Sequence, residues 1–176
     1  DGLIIIGGRI SEADIQKIAR KTPVIVVARK LKSAPDQCIY LDNFQAAYDA
    51  TNYLLKRGHR NIAHITAAVV YDETVDDIHQ RRLGYEQALR DAGIEPDPRL
   101  LVEGTLQQPS GVLAVEMLLS RGRPFSAIFA ANDQMAFGAR LALYRRHIRV
   151  PEEISLIGFD DDISASPGSI SVAADE

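Results

Sequence analysis

The stretch "AIFAANDQMAFGARLAL", residues 127–143, decides how this chain is read. A short apolar run stops at Asn132 and Asp133, and an alanine-rich pattern at helical spacing begins at once. Either the pair only caps that helix, or it also faces a ligand. What decides is whether other strands end the same way.

Working outward, strand and helix signals alternate. "LIIIG" (3–7), "VIVVA" (24–28), "CIYLD" (38–42), "NIAHITAA" (61–68), "RLLVEG" (99–104), "SAIFAA" (126–131) and "EISLIGFD" (153–160) read as strands without strict polar alternation. Between them lie helical patterns. "SEADIQKIA" carries Ser11 and Asp14 at capping-box spacing. Residues 43–57 stop at Gly58, about 80–92 at Gly93 with Ile94 beyond, and 110–121 at Gly122. His59 and Arg60 are expected to relieve carbonyls at the end of their helix. The pattern predicts an α/β fold whose parallel sheets are covered by helices. Three strands precede residue 43 and four fall between 61 and 160, which favours two lobes over one continuous sheet.

Composition limits the function. With 46% hydrophobic and 25% charged residues, the 176-residue chain can bury a substantial core. Its net charge of -4 gives no general attraction for a phosphate backbone, so any nucleic-acid contact is expected outside this sequence. Cys38 is the only cysteine; it reads as a strand residue, excludes an intrachain disulfide and mildly favours a reducing compartment. No apolar run has the length of a membrane span, and no secretory signal is visible. The abrupt start on "DGLIIIGG" reads as that of a fragment.

The polar residues fall at one rim. In open α/β sheets, ligands sit beyond the carboxyl ends of the strands. Asp42 closes "CIYL", Asn132 and Asp133 close "AIFAA", and Asp160 closes "SLIGF". Arg81 begins the helix after the long acidic loop "VVYDETVDDIHQ". Each has a plain alternative: Asn132 and Asp133 as caps, Asp42-Asn43 as a helix start, Asp160 in the polar turn "DDD", and Arg81-Arg82 as helix surface. Carboxylates and amides that share hydroxyl hydrogens, with an arginine fork, suit a neutral polyol. No nucleophile arrangement, metal-ligand spacing among His59, His64, His79 and His147, calcium loop or dinucleotide fingerprint at "GG" (7–8) is present. Catalysis, metal and cofactor are therefore not expected.

"DGLIIIG", "LDNFQAAYDATNYLLKRGHRNIAHI", "RRLGYEQALRDAGI", "AANDQMAFGARLAL" and "VPEEISLIGFDD" closely resemble, in order, the effector-binding core of the lactose/galactose repressor family. The resemblance implies a two-lobed fold similar to periplasmic sugar-binding proteins. Residues 1–42 would be part of the N-terminal lobe, 43–160 mostly the C-terminal lobe, and 161–176 a crossover toward the first, with Ser169, Ser171 and Val172 resembling the returning strand. Arg81 matches the arginine three places before Gly84 in "RRLGY", Asn132 the asparagine of "ND" and Asp160 the first aspartate of "GFDD", all ligand contacts in that family; Arg82 is expected to face elsewhere. Two positions depart from the family pattern: Leu106 stands where an aromatic often stacks on the ligand, and Ala28 where Asp or Asn is common.

The family further implies a cytoplasmic transcriptional regulator, a repressor by expectation. It would bind a small-molecule effector, a sugar or sugar derivative, and operator DNA through a headpiece absent from this sequence. It would work as a homodimer, with effector either releasing DNA or favouring its binding. The alternatives are a transport-type sugar-binding protein without a DNA role and, more remotely, a carbohydrate-directed α/β enzyme using Asp160 and Arg81.

Overall fold

The computed structural model describes residues 1–6, 10–67, 76–161 and 170–172. The "GG" at 7–8, most of the acidic loop (69–75) and Asp162 lie outside the described residues. The chain divides into two compact units, one built on residues 1–42 and the other holding 43–67 and everything described from 77 on.

The first unit is a parallel sheet ordered β1 (Leu3–Ile6), β2 (Val24–Val27), β3 (Cys38–Ile39). Helix α1 (Glu12–Ala19) starts at Ser11, whose Oγ accepts from the Asp14 amide at 3.2 Å and donates to Asp14 Oδ2 at 2.7 Å. The helix buries Ile15 with Ile5, Val24, Val26 and Leu31. Cys38 is half-buried, accepting from the Leu31 amide and donating to the Ala34 carbonyl. The strand expected through 42 has only two residues, because its partner β2 ends at Val27. On the other face the register sets Ile4 beside Ile25, and Val27 between Ile6 and Ile39. Ile4, Ile6 and Ile39 are 67%, 75% and 62% exposed.

The second unit holds α2 (Asn43–Lys56), β4 (Ile62–Ala67), α3 (Asp76–Asp91), β5 (Leu101–Gly104), α4 (Gln108–Ser120), β6 (Ala127–Ala130), α5 (Asp133–Arg145), β7 (Ser155–Phe159) and β8 (Ile170–Val172). Its five strands are parallel and ordered β5-β4-β6-β7-β8. Residues 170–172, expected to return toward the first lobe, instead extend this sheet: Ile170, Ser171 and Val172 pair with Ile157, Gly158 and Phe159, satisfying the open edge of β7. Helix α3 begins four residues before the expected position, with Asp76 and Asp77 in its positively polarised first turn.

Close helix contacts explain several glycines. A Cβ on Gly84 in α3 would lie 2.2 Å from the Phe44 carbonyl oxygen of α2. On the opposite side, a Cβ on Gly138 in α5 would stand 2.0 Å from the Gln108 oxygen of α4. Gly58, Gly93 and Gly122 follow α2, α3 and α4 at φ 95°, 70° and 64°, as the sequence predicts. Beyond α3, the Ile94 amide closes back on the Leu89 oxygen at 2.9 Å. His59 and Arg60 do not cap α2 with their side chains. The His59 Nδ1 meets Ser126 Oγ at 2.9 Å, and Arg60 donates to the Ala92 oxygen after α3.

Every residue of β4 and β6 is buried. Ile65 faces the apolar core with Leu118, Met135 and Leu143 of α4 and α5. Its neighbour His64 points the other way and is stacked between Tyr85 of α3 and Phe129, with ring centroids 4.8 and 4.9 Å away. His64 Nδ1 lies 2.9 Å from the Phe129 oxygen, so it carries the proton. Among the described residues Nε2 has no partner. Burial pulls the imidazole pKa down to about 4. The Tyr85 phenol, donating to the Ile62 oxygen at 2.8 Å, is pushed upward by the same cause. No described helix is long and apolar enough to cross a membrane.

Candidate functional site

The strand order places the site. From β4 the chain crosses to β5 on one side, whereas from β6 it crosses to β7 on the other. The carboxyl ends of β4 and β6 are therefore a topological switch point, the usual ligand position in such sheets. The segment after β4 lies largely outside the described residues. After β5 comes Leu106, after β6 Asn132 and Asp133, and after β7 Asp160; Arg81 reaches in from α3.

Arg81 is the most constrained of these side chains. It is only 8% exposed. Its Nε donates to Asn43 Oδ1 at 2.8 Å, and Nη1 to the Ala131 oxygen at 2.6 Å. The guanidinium carbon stands 3.6 Å from the centre of the Phe159 ring, a desolvated cation–π contact. Asp160 Oδ1 is 3.4 Å from Nη1 and comes from a half-exposed carboxylate. Burial lowers the Arg81 pKa, opposed by the charges of Asp160, Asp77 and Asp133. Gly84 sets this arrangement, since only its bare Cα lets α3 approach α2 closely enough for Arg81 to meet Asn43. Arg82 turns away and pairs with Glu86 at 2.8 Å.

Asn43 was not singled out from the sequence, where it read with Asp42 as a helix start. It is 6% exposed, and its carboxamide holds Arg81. Asp42 stands exposed immediately before α2.

Asn132 is the N-cap of α5. Its Oδ1 accepts from the Met135 amide at 3.0 Å, and its Nδ2 donates to the Leu106 oxygen at 3.0 Å. An amide has two donor and two acceptor positions, so half of its capacity serves the fold. Asp133 is the first helical residue, 3% exposed, with Oδ1 packed against Gly158, where a Cβ would come within 2.0 Å. Leu106 is half-buried against the core at φ 62°, and Asp160 adopts φ 101°. Side chains rarely take such backbone except where the surroundings hold it. Ala28, in the first unit, is exposed at φ 59°, with its amide on the Ile39 oxygen at 2.8 Å. The αL region suits Asp or Asn better than alanine.

Thus Arg81, Asn132, Leu106 and Asp160 share one rim of the second sheet, with Asn43 added. Fixed donors beside a half-exposed carboxylate suit hydroxyl-rich ligands. No group of three histidine, cysteine or acidic side chains among the described residues has metal-binding geometry.

The family of periplasmic binding proteins and sugar-binding domains of the LacI family matches residues 1–171. The HTH-type transcriptional regulator AscG of Escherichia coli K12 is 36% identical over 172 residues, 97% of this chain and 50% of AscG. A sugar-binding transcriptional regulator of the LacI family from Escherichia coli, crystallised with phosphate, matches with TM-score 0.84 and 34% identity over 97% of this chain and 62% of its own. The transcriptional regulator CelR in complex with cellobiose matches with TM-score 0.77 and 30% identity, over 97% of this chain and 53% of its own. The chain spans about half the length of the curated relatives it matches. It belongs to the family of periplasmic binding proteins and sugar-binding domains of LacI-type regulators.

Proposed function

We propose that this chain is the effector-binding core of a cytoplasmic, DNA-binding transcriptional regulator, acting as a repressor, and that the rim around Arg81 takes a sugar or sugar derivative. The carrying observation is the buried Arg81 guanidinium, fixed by Asn43, Ala131 and Phe159 beside the half-exposed Asp160. With Nε and Nη1 so engaged, the remaining guanidinium N–H groups are held in place for ligand oxygens. The cellobiose complex of a relative supports a saccharide as the ligand class. Leu106, half-buried at the same rim, offers the ligand an apolar face without a flat ring.

The acidic balance of the chain assigns operator contact to a headpiece beyond these residues. A two-fold operator calls for a homodimer. Leu113 and Met117, exposed one turn apart on α4, are apolar surface suited to the subunit contact. Sugar would regulate DNA binding by having different affinity for two protein states.

The test uses the intact protein, a panel of mono- and disaccharides in a calorimeter, and operator-length duplexes followed by fluorescence anisotropy. One saccharide class should bind and alter duplex affinity. Arg81→Ala should weaken saccharide binding by about 2–4 kcal/mol through loss of a desolvated charged donor. Absence of saccharide binding, or turnover of the sugar, contradicts the proposal.

A further inference from the structure

Helix α5 begins at the candidate site and ends, ~20 Å away at 1.5 Å per residue, beside a second open cleft. This cleft has a volume of about 460 Å³, in the range of small-molecule sites. Half-buried Ile148 and Val150 give it apolar walls, and Tyr144, 77% exposed, adds an aromatic one. Arg140, His147 and Arg149 also line it, with Glu152 as the acidic member of the lining.

Arginines outnumber carboxylates in this lining. Residues 134–151 contain four arginines and no carboxylate, with Glu152 and Glu153 following at once, in a chain of net charge -4. Several arginines are neutralised at close range: Arg82 and Arg90 by Glu86, Arg99 and Arg123 by Asp97, and at the end of α5 itself Arg146 by Glu116. Around the cleft Arg149 shares its charge with Glu153 at 2.9 Å, but Arg140 has no ion-pair partner among the described residues. The negative end of the helix dipole accounts for cations in the last turn, Arg145 and Arg146. It does not account for Arg140 farther up the helix or Arg149 beyond it.

The helix end supplies a second, independent sign. Gly58, Gly93 and Gly122 fill the left-handed position after α2, α3 and α4, whereas α5 closes on His147 at φ 58°. The geometry is the same kind of closure, with the Ile148 amide on the Leu143 oxygen at 3.0 Å. A side chain there is strained where glycine is not. The strained position places an imidazole on the cleft.

We propose that this cleft is a second ligand site, taking an organic phosphate that carries a flat ring, of the nucleoside monophosphate class. Arg140, with His147 and Arg149, faces the phosphate; Tyr144 stacks on the ring; Glu152 accepts from sugar hydroxyls. The assignment is independent of the saccharide reading at the other end of α5.

The test is calorimetric titration of the intact protein, at low salt, with AMP, CMP and GMP, then adenosine and inorganic phosphate. At least one nucleotide should bind saturably, with adenosine and phosphate each about tenfold weaker or more, since either lacks half of the contacts. Arg140→Gln should weaken the nucleotide by about tenfold. His147→Gly should weaken it while raising thermal stability, which separates ligand loss from misfolding. Arg81→Ala should leave nucleotide binding unchanged. The proposal is overturned if no nucleotide saturates, if Arg140→Gln and His147→Gly bind normally, or if Arg81→Ala abolishes binding. A glutamate-rich peptide that occupies the cleft in place of nucleotides also overturns it, making the surface a protein-docking face.

Discussion

Both sheets of this chain are parallel, but they are covered differently. In the five-stranded sheet, β4 and β6 are buried throughout, with His64 facing α3 on one side and Ile65 facing α4 and α5 on the other. In the three-stranded sheet α1 covers one face, while Ile4, Ile6 and Ile39 stand open on the other. Parallel sheets are normally buried on both faces. Arg81 and Asn132 stand at the rim of the closed sheet, and the left-handed Ala28 follows a strand of the open one.

The closed sheet should tolerate added volume least. Gly138→Ala forces a Cβ against the Gln108 backbone and should cost about 3 kcal/mol in urea unfolding. Gly2→Ala just before β1 of the open sheet, where the nearest atom to a Cβ is 3.4 Å away, should cost far less. Comparable losses would break the contrast.

The histidine-linked response to acid should come from the closed sheet. An exposed histidine takes a proton near pH 6.5, but His64 in the folded chain does so only near 4. Its folded pKa is depressed, so the unfolded chain binds the proton first. The stability it contributes is complete above pH 6.5 and is lost as pH falls toward and through 4, by about 3 kcal/mol. His64→Phe should flatten that part of the stability profile. The first unit, which contains no histidine, should show no matching step. An unchanged profile in His64→Phe assigns the acid sensitivity to other groups.

Two smaller effects sharpen the comparison. Asn132→Ala removes the α5 cap and should lower stability by about 1–2 kcal/mol, apart from any effect on ligand. Ala28→Gly relieves a left-handed alanine and should raise stability by about 1 kcal/mol or less, measured by thermal unfolding. A loss at Ala28→Gly would mean that the methyl group makes a contact worth more than the strain.

Helices and strands were legible because periodicity and terminal glycines are local signals. Arg81 was legible through its spacing to Gly84 in "RRLGY". Its partner Asn43 was not, since that hydrogen bond joins residues 38 apart and depends on how closely α2 and α3 approach. The sequence offers both Asn132 and Asp133 as caps, and the fold gives the role to Asn132. The Ala131 amide still bonds the Ile65 oxygen of β4 at 2.8 Å, so extended backbone runs one residue past β6 and the cap falls on Asn132. Composition cannot reveal that one-residue offset. Nor does the run "ISV" disclose which sheet it joins, because the answer lies in the open edge of β7.

The most direct measurement is saccharide titration of Arg81→Lys in the intact protein, with urea unfolding alongside. Lysine keeps the charge but lacks the fork that reaches Asn43 and Ala131 while presenting donors to a ligand. Saccharide affinity should fall by about 2 kcal/mol or more, and stability by about 1–3 kcal/mol as buried acceptors lose their donor. Wild-type affinity combined with reduced stability would contradict the assignment, making Arg81 an internal strut and placing the ligand elsewhere.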